Sequence, residues 1–145
     1  MINIAFRNLK NNYSPYSYDA HDCTMYFPNT CAIRMSEALV KTNSLFLARF
    51  KGSAKNKCPH GYLRGAQDLA SVLSKPSVLG TRTKGWNGTP NAVVPDDIKS
   101  ETGIVCFMNI PGFDGQGHID LWNKTDAVGS HYWDAETIWF WSLSL

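Results

Sequence analysis

The stretch from Gly103 to Leu143 constrains the fold more than any other part of the chain. Gly103 to Ile110 is an apolar run of strand length, and Pro111-Gly112-Phe113-Asp114-Gly115 is dense in turn residues. Gly117-His118-Ile119-Asp120-Leu121-Trp122 then alternates polar with apolar, the period of a strand with two unlike faces. Two such strands across one turn should pair as an antiparallel hairpin. After a second loop, Ile138-Trp139-Phe140-Trp141-Ser142-Leu143 supplies a third strand rich in the aromatic and branched side chains that suit a packed sheet.

The earlier part of the chain carries a different period. Asn29-Thr30-Cys31-Ala32-Ile33-Arg34-Met35-Ser36-Glu37-Ala38-Leu39-Val40 has apolar residues at 32, 35, 38 and 39, which marks an amphipathic helix. Asn29 or Thr30 is its expected N-cap and Asn43 its stop. A second helix is expected over Tyr62–Leu73, with 63, 66, 69, 70 and 73 on one face and Lys75-Pro76 ending it. The Gly-, Pro- and Asn-rich stretch from Gly80 to Ser100 reads as a long loop of the kind that often frames a site. The first thirty residues show no sustained period and should wrap the surface, with one helical turn near Ala5 to Lys10. Together these signals give an α+β class, with helices first and an antiparallel sheet last.

A chain of 145 residues with 43% hydrophobic content suits one core, so residues 1–145 are expected to form a single domain. Its 14 basic and 12 acidic residues leave a formal charge of only +2 and are scattered along the chain, which argues against a nucleic-acid binder. No apolar run approaches the roughly 18 residues of a membrane helix, and Met1 to Lys10 lacks the apolar core of a secretory signal. The expectation is a protein made in the cytoplasm without membrane insertion.

The four cysteines lack the dense spacing of a disulfide scaffold. Cys106 lies inside the apolar run and reads as a core residue. Cys23 and Cys58 lie in loop-like surroundings where pairing in an oxidising compartment is open. Cys31 is different. In the first turn of a helix it faces unpaired backbone N–H groups and the positive end of the helix dipole, and both favour thiolate. The same N–H groups can hold the oxyanion that forms when a thiolate attacks a carbonyl.

A nucleophilic cysteine needs a base, and His118 is the best placed of the four histidines. Gly117 beside it permits close approach by another element, and alternation puts His118, Asp120 and Trp122 on one strand face. Asp120 can orient the imidazole from that face; Asp126 or His131 can do so from the following loop. A carboxylate between Ile119 and Leu121 is costly to bury without a partner, and His118 is the obvious one. His21 and His60 fall in loop-like segments where the sequence alone does not say what they would meet, and Cys58-Pro59-His60 is too short for a metal signature. No metal or organic cofactor is called for.

The segments Asn29-Thr30-Cys31-Ala32-Ile33-Arg34-Met35-Ser36 and Gly117-His118-Ile119-Asp120-Leu121-Trp122-Asn123 resemble the two signature blocks of the fourth family of type VI secretion amidase effectors. Tyr62-Leu63-Arg64-Gly65 and Thr102-Gly103-Ile104-Val105 fit the order between them, so the resemblance runs from about Asn29 to the C-terminus. It implies a papain-like fold of the NlpC type, with the cysteine helix packed on the sheet that carries the histidine. The implied substrate is the peptidoglycan stem peptide, cut at the amide joining the γ-carboxyl of D-glutamate to meso-diaminopimelate. A secretion apparatus would inject the protein into the periplasm of a target bacterium, and a cognate immunity protein, dimeric in the family, would block the cleft.

By this resemblance the nucleophile falls on Cys31 and the base on His118. Better-known members place an aspartate in a cysteine-flanked loop beyond the histidine strand, where this chain has Ala127, Gly129 and His131. The loop disulfide is then absent, and the orienting role passes to Asp120, with Asp126 next. Arg34, Arg64 or Lys84 could attract a carboxylate-rich substrate, while Trp86 and Trp122 fit either cleft or core. The competing readings are general cysteine proteolysis or acyl transfer on the same fold, and a non-catalytic cell-wall-binding module.

Overall fold

The computed structural model describes residues 1–13, 23, 29–89 and 92–145. His21 and Pro90 lie outside them. Among the described residues four helices pack with one five-stranded sheet. The helices are α1 (Phe6–Asn12), α2 (Cys31–Thr42), α3 (Leu45–Lys51) and α4 (Ala66–Leu73). The strands are β1 (Lys84–Trp86), β2 (Thr102–Met108), β3 (His118–Asn123), β4 (Asp126–Ala127) and β5 (Thr137–Ser142), in the order β1-β5-β2-β3-β4 with every pairing antiparallel.

The expected hairpin is β2–β3, in a register that sets Phe107 opposite His118 and Val105 opposite Asp120. Asn109, at φ +56, takes the chain out of β2. All seven residues of β2 are buried because the sheet is covered on both faces. One face, with Ile104, Cys106, Ile119 and Leu121, packs under the helices. Val105, Phe107, Trp122, Ile138 and Phe140 form a second cluster on the other, closed by Trp133 and Ala135.

Helix α2 buries Ala32, Met35, Ala38 and Leu39 as its period requires, and Asn43 ends it. The second expected helix begins later, at Ala66. Tyr62–Arg64 instead return along the preceding segment: Cys58 N donates to the Tyr62 carbonyl at 2.9 Å, and Arg64 N to that of Asn56 at 3.2 Å. The Leu63 N–H is drawn to buried Ser36 Oγ at 3.2 Å, so these residues satisfy their backbone outside a helix.

Two expectations about surface segments are corrected. The N-terminal residues do more than wrap the domain, since α1 buries Phe6 and Leu9 and Ile2 N bonds the Val78 carbonyl at 2.7 Å. The stretch 80–100 is also not all loop: Lys84–Trp86 pairs with β5 as an edge strand, and Asp96–Ile98 forms a 3-10 turn. No helix among the described residues is long and apolar enough to cross a membrane.

Candidate active site

Cys31 is the first residue of α2, and His118 is the first of β3. Asn29 joins the two elements. Its Oδ1 accepts from Cys31 N at 3.3 Å, and its Nδ2 donates to the Gly117 carbonyl at 3.3 Å. Thr30 is the cap by backbone position but makes no side-chain cap bond, so Asn29 supplies the side-chain oxygen. The Cys31 sulfur lies 3.7 Å from the Gly117 carbonyl oxygen and near enough to the adjoining His118 ring to help raise its pKa. As a thiol it can donate to the carbonyl; as a thiolate it faces the ring.

Gly117 makes this approach possible. Its φ is +114, and an added Cβ would press into the Phe107 carbonyl oxygen. His118 is then held by aromatic contacts, with Phe107 stacked at 6.4 Å and Tyr132 edge-on at 5.5 Å between ring centroids.

Asp120 completes the arrangement. Its Oδ2 accepts from His118 Nε2 at 2.8 Å, Gly129 N at 2.9 Å and Ser130 N at 2.8 Å, and its Oδ1 accepts from Leu121 N at 2.8 Å and the Tyr13 hydroxyl at 3.1 Å. The carboxylate is fully buried, and these donors replace its lost hydration. Sheet shape opens the space: β4 pairs only with Trp122 and Asn123, so other elements reach β3 at His118 and Asp120.

Burial by itself would lower the His118 pKa. Hydrogen bonds to Asp120 and to Cys31, with the attraction of both groups, outweigh it and raise the pKa to about 9. At neutral pH the ring is an imidazolium, with Nε2 committed to Asp120 and Nδ1 left for the sulfur. Burial pushes the Tyr13 hydroxyl well above its ordinary value, with Asp120 adding to the effect, so Tyr13 stays a proton donor.

The other sequence candidates lie elsewhere. Asp126 is exposed and its carboxylate accepts from Ala127 N at 2.9 Å; exposed His131 tilts against Trp133. Among the described residues it is Asp120, and neither of these two, that hydrogen-bonds the imidazole. Burial, chiefly, pushes the Cys106 thiol well up, and its sulfur lies 3.7 Å from the Ala66 carbonyl, a core position as expected. Cys23 and Cys58 are joined in a disulfide with Cα atoms 5.3 Å apart, which removes Cys58 as a ligand beside His60.

Trp122 is core, its indole N–H donating to the Ile98 carbonyl at 2.9 Å. Trp86 packs against the second cluster, and β5 and β2 separate its strand from β3. Lys84 pairs with Glu101 at 3.0 Å on that far edge. Arg34 follows the nucleophile position on α2. Arg64 lines a cavity of about 220 Å³ together with Gln116 and with Asn29, the residue that bonds the Cys31 N–H.

A sulfur at a helix N-terminus, and near it an imidazolium bonded to a buried carboxylate, form a constellation suited to acyl transfer through a thioester. Residues 27–141 match the family of type VI secretion system amidase effector protein 4, Tae4. The chain belongs to this family. It is therefore an amidase effector of the type VI secretion system. The crystal structure of the Tae4 effector from Enterobacter cloacae superposes with a TM-score of 0.71 at 20% identity, over 98% of both chains. Tae4 from Salmonella typhimurium, solved in complex with the immunity protein Tai4 from Enterobacter cloacae, gives 0.63 at 25% identity, over 81% of this chain and 77% of that one. No curated protein sequence matches significantly.

Sequence reasoning missed two parts of the site. Tyr13 reaches Asp120 from a segment without periodicity, and no local signal marks it. Gly129 and Ser130 contribute backbone N–H groups, so this chain's loop beyond the histidine strand brings donors to Asp120.

Proposed function

We propose that residues 1–145 form one papain-like amidase domain of the NlpC type, with Cys31 as nucleophile, His118 as acid and base, and Asp120 as the residue that orients the imidazole. The observation that carries this reading is the Cys31 sulfur held 3.7 Å from the Gly117 carbonyl, next to a His118 ring that bonds the buried Asp120 carboxylate at 2.8 Å. Its proposed substrate is the peptidoglycan stem peptide, at the amide between the γ-carboxyl of D-glutamate and meso-diaminopimelate.

In the first half-reaction the Cys31 thiolate attacks the γ-glutamyl carbonyl carbon. The carbonyl π electrons move to oxygen, where N–H groups of the first turn of α2 hold the charge. The bond from Cys31 N to Asn29 is long enough, at 3.3 Å, to yield to this stronger acceptor. As the tetrahedral centre collapses, the C–N bond breaks and the His118 imidazolium gives its proton to the departing amine. A thioester and a neutral imidazole remain. The imidazole then takes a proton from water as the oxygen attacks the thioester; the thiolate leaves, the glutamate carboxyl is released, and the imidazolium is restored.

Family membership supports delivery by a secretion apparatus, and the proposed site of action is the periplasm of a recipient bacterium. The Cys23–Cys58 bridge suits that oxidising compartment. Because a Tae4 relative is solved with Tai4, a cognate immunity protein that covers the cleft is the proposed partner. Mass spectrometry of muropeptides digested by the wild type and by Cys31→Ala tests the reading. A new free amino group on diaminopimelate, made by the wild type alone, is expected; a Cys31→Ala variant that cuts equally well would remove Cys31 from the mechanism.

A further inference from the structure

The cavity between Asn29 and the start of α4 has a wall chemistry that the mechanism above leaves largely unused. Arg64 and Asp68, of opposite charge, both line it, with the amides of Asn29, Asn56 and Gln116 between and around them. The cavity measures about 220 Å³, space for a group of several heavy atoms. It is held open by specific contacts. Gln116 Oε1 accepts from the Asp68 N–H at 2.8 Å, which fixes the loop before His118 against the start of α4. Gly65 permits this, since a Cβ there would meet the Gln116 amide.

The cavity is also tied to the reacting groups. Gln116 directly precedes Gly117, whose carbonyl lies against the Cys31 sulfur, and Asn29 is bonded to both Cys31 N and Gly117 O. Residues that line this space therefore also bond the Cys31 backbone and adjoin Gly117, the residue before His118. A wall with one cation, one carboxylate and several amides matches a ligand that carries both charges: the guanidinium takes a carboxylate and Asp68 takes an ammonium. Asp68 already faces a cation, Lys55 at 3.9 Å, a loose surface pair that a bound ammonium can replace.

We propose that this cavity is the subsite for an α-amino-acid head, a carboxylate and an ammonium on one carbon, with Arg64 and Asp68 as the residues that set specificity. This rests on the stem-peptide reading, in which the side chain of diaminopimelate ends in such a head. A lysine in the same position has the ammonium without the carboxylate and serves as the comparison.

The test measures kcat/KM on four stem peptides: unmodified diaminopimelate, its side-chain carboxyl amidated, its side-chain amine acetylated, and lysine in its place. The wild type is expected to prefer the unmodified head by about tenfold or more over each of the others. Arg64→Ala should slow the unmodified and acetylated substrates while leaving the amidated one and lysine at the wild-type rate. Asp68→Asn should slow the substrates with a free amine and spare the acetylated one. Cleavage of all four at similar rates by the wild type, or variants that slow all four equally, would overturn the subsite while the amidase reading stands. A wild type that cuts no stem peptide would overturn the amidase reading and the subsite with it.

Discussion

His118 Nε2 donates to Asp120 Oδ2 at 2.8 Å, and the acceptor carboxylate is itself fully buried and held by four further donors. The imidazole thus leans on a charge that cannot turn away. Asp120→Asn keeps the shape but removes the charge that helps hold His118 near 9. The imidazolium would then lose its proton at lower pH, so the alkaline limb of the kcat/KM profile should move from about 9 toward 6.5. A fall in kcat of roughly 10²- to 10⁴-fold is expected at neutral pH. Asp126→Asn, at an exposed carboxylate bonded to its own neighbour, should match the wild type in both respects. The reverse outcome would give Asp126 the orienting role.

How far these contacts could be read from sequence depends on whether they are local. The hairpin, helix α2 and the placement of Cys31 and His118 follow from periods and turn residues within a few positions of one another. Strand alternation likewise puts His118 and Asp120 on one face two residues apart. Tyr13 stands 107 residues from Asp120, and nothing in an aperiodic segment encodes that approach. Gly129 and Ser130 act through backbone N–H groups, which every non-proline residue carries. Helix α3 spans only seven residues, fewer than the window in which helical and strand periods separate. Edge strand β1, at three residues, is legible only once β5 is there to pair with it.

The raised His118 pKa has a consequence for stability. A group whose folded pKa of about 9 exceeds its ordinary 6.5 binds a proton more tightly in the native state, so its contribution is complete below pH 6.5 and disappears as pH rises through 9. Urea midpoints measured across that range should fall for the wild type. In His118→Gln the slope over the same interval should flatten, because no imidazolium remains to be lost. Parallel slopes for the two proteins would mean that the ring gains no proton affinity on folding.

The disulfide closes a sequence separation of 35 residues and packs with Ile33, in the first turn of α2. Loop-closure entropy for that span gives a stabilisation of roughly 3–4 kcal/mol. The double variant Cys23→Ala/Cys58→Ala should lose stability on that scale in urea titration, and a reductant should lower the wild-type midpoint while leaving the variant unmoved. A wild type insensitive to reductant would show that the bridge is not formed.

Gly117 is the position where backbone geometry and chemistry meet most closely. Its φ of +114 is open to glycine alone at little cost, and a methyl group would collide with the Phe107 carbonyl across the hairpin. Gly117→Ala should therefore cost about 3 kcal/mol or more, the sum of a strained dihedral and a displaced strand. It should also cut kcat disproportionately, since the Gly117 carbonyl lies against the Cys31 sulfur and the next residue is His118. Gly112→Ala provides the comparison: φ is +75 there, but an added methyl meets nothing within 4 Å, so only the dihedral term of about 1 kcal/mol remains. Thermal unfolding and single-turnover rates on the two variants separate strain from displacement. Equal losses of stability and activity in both would mean that close approach at Gly117 has no role in setting the distance between the sulfur and the ring.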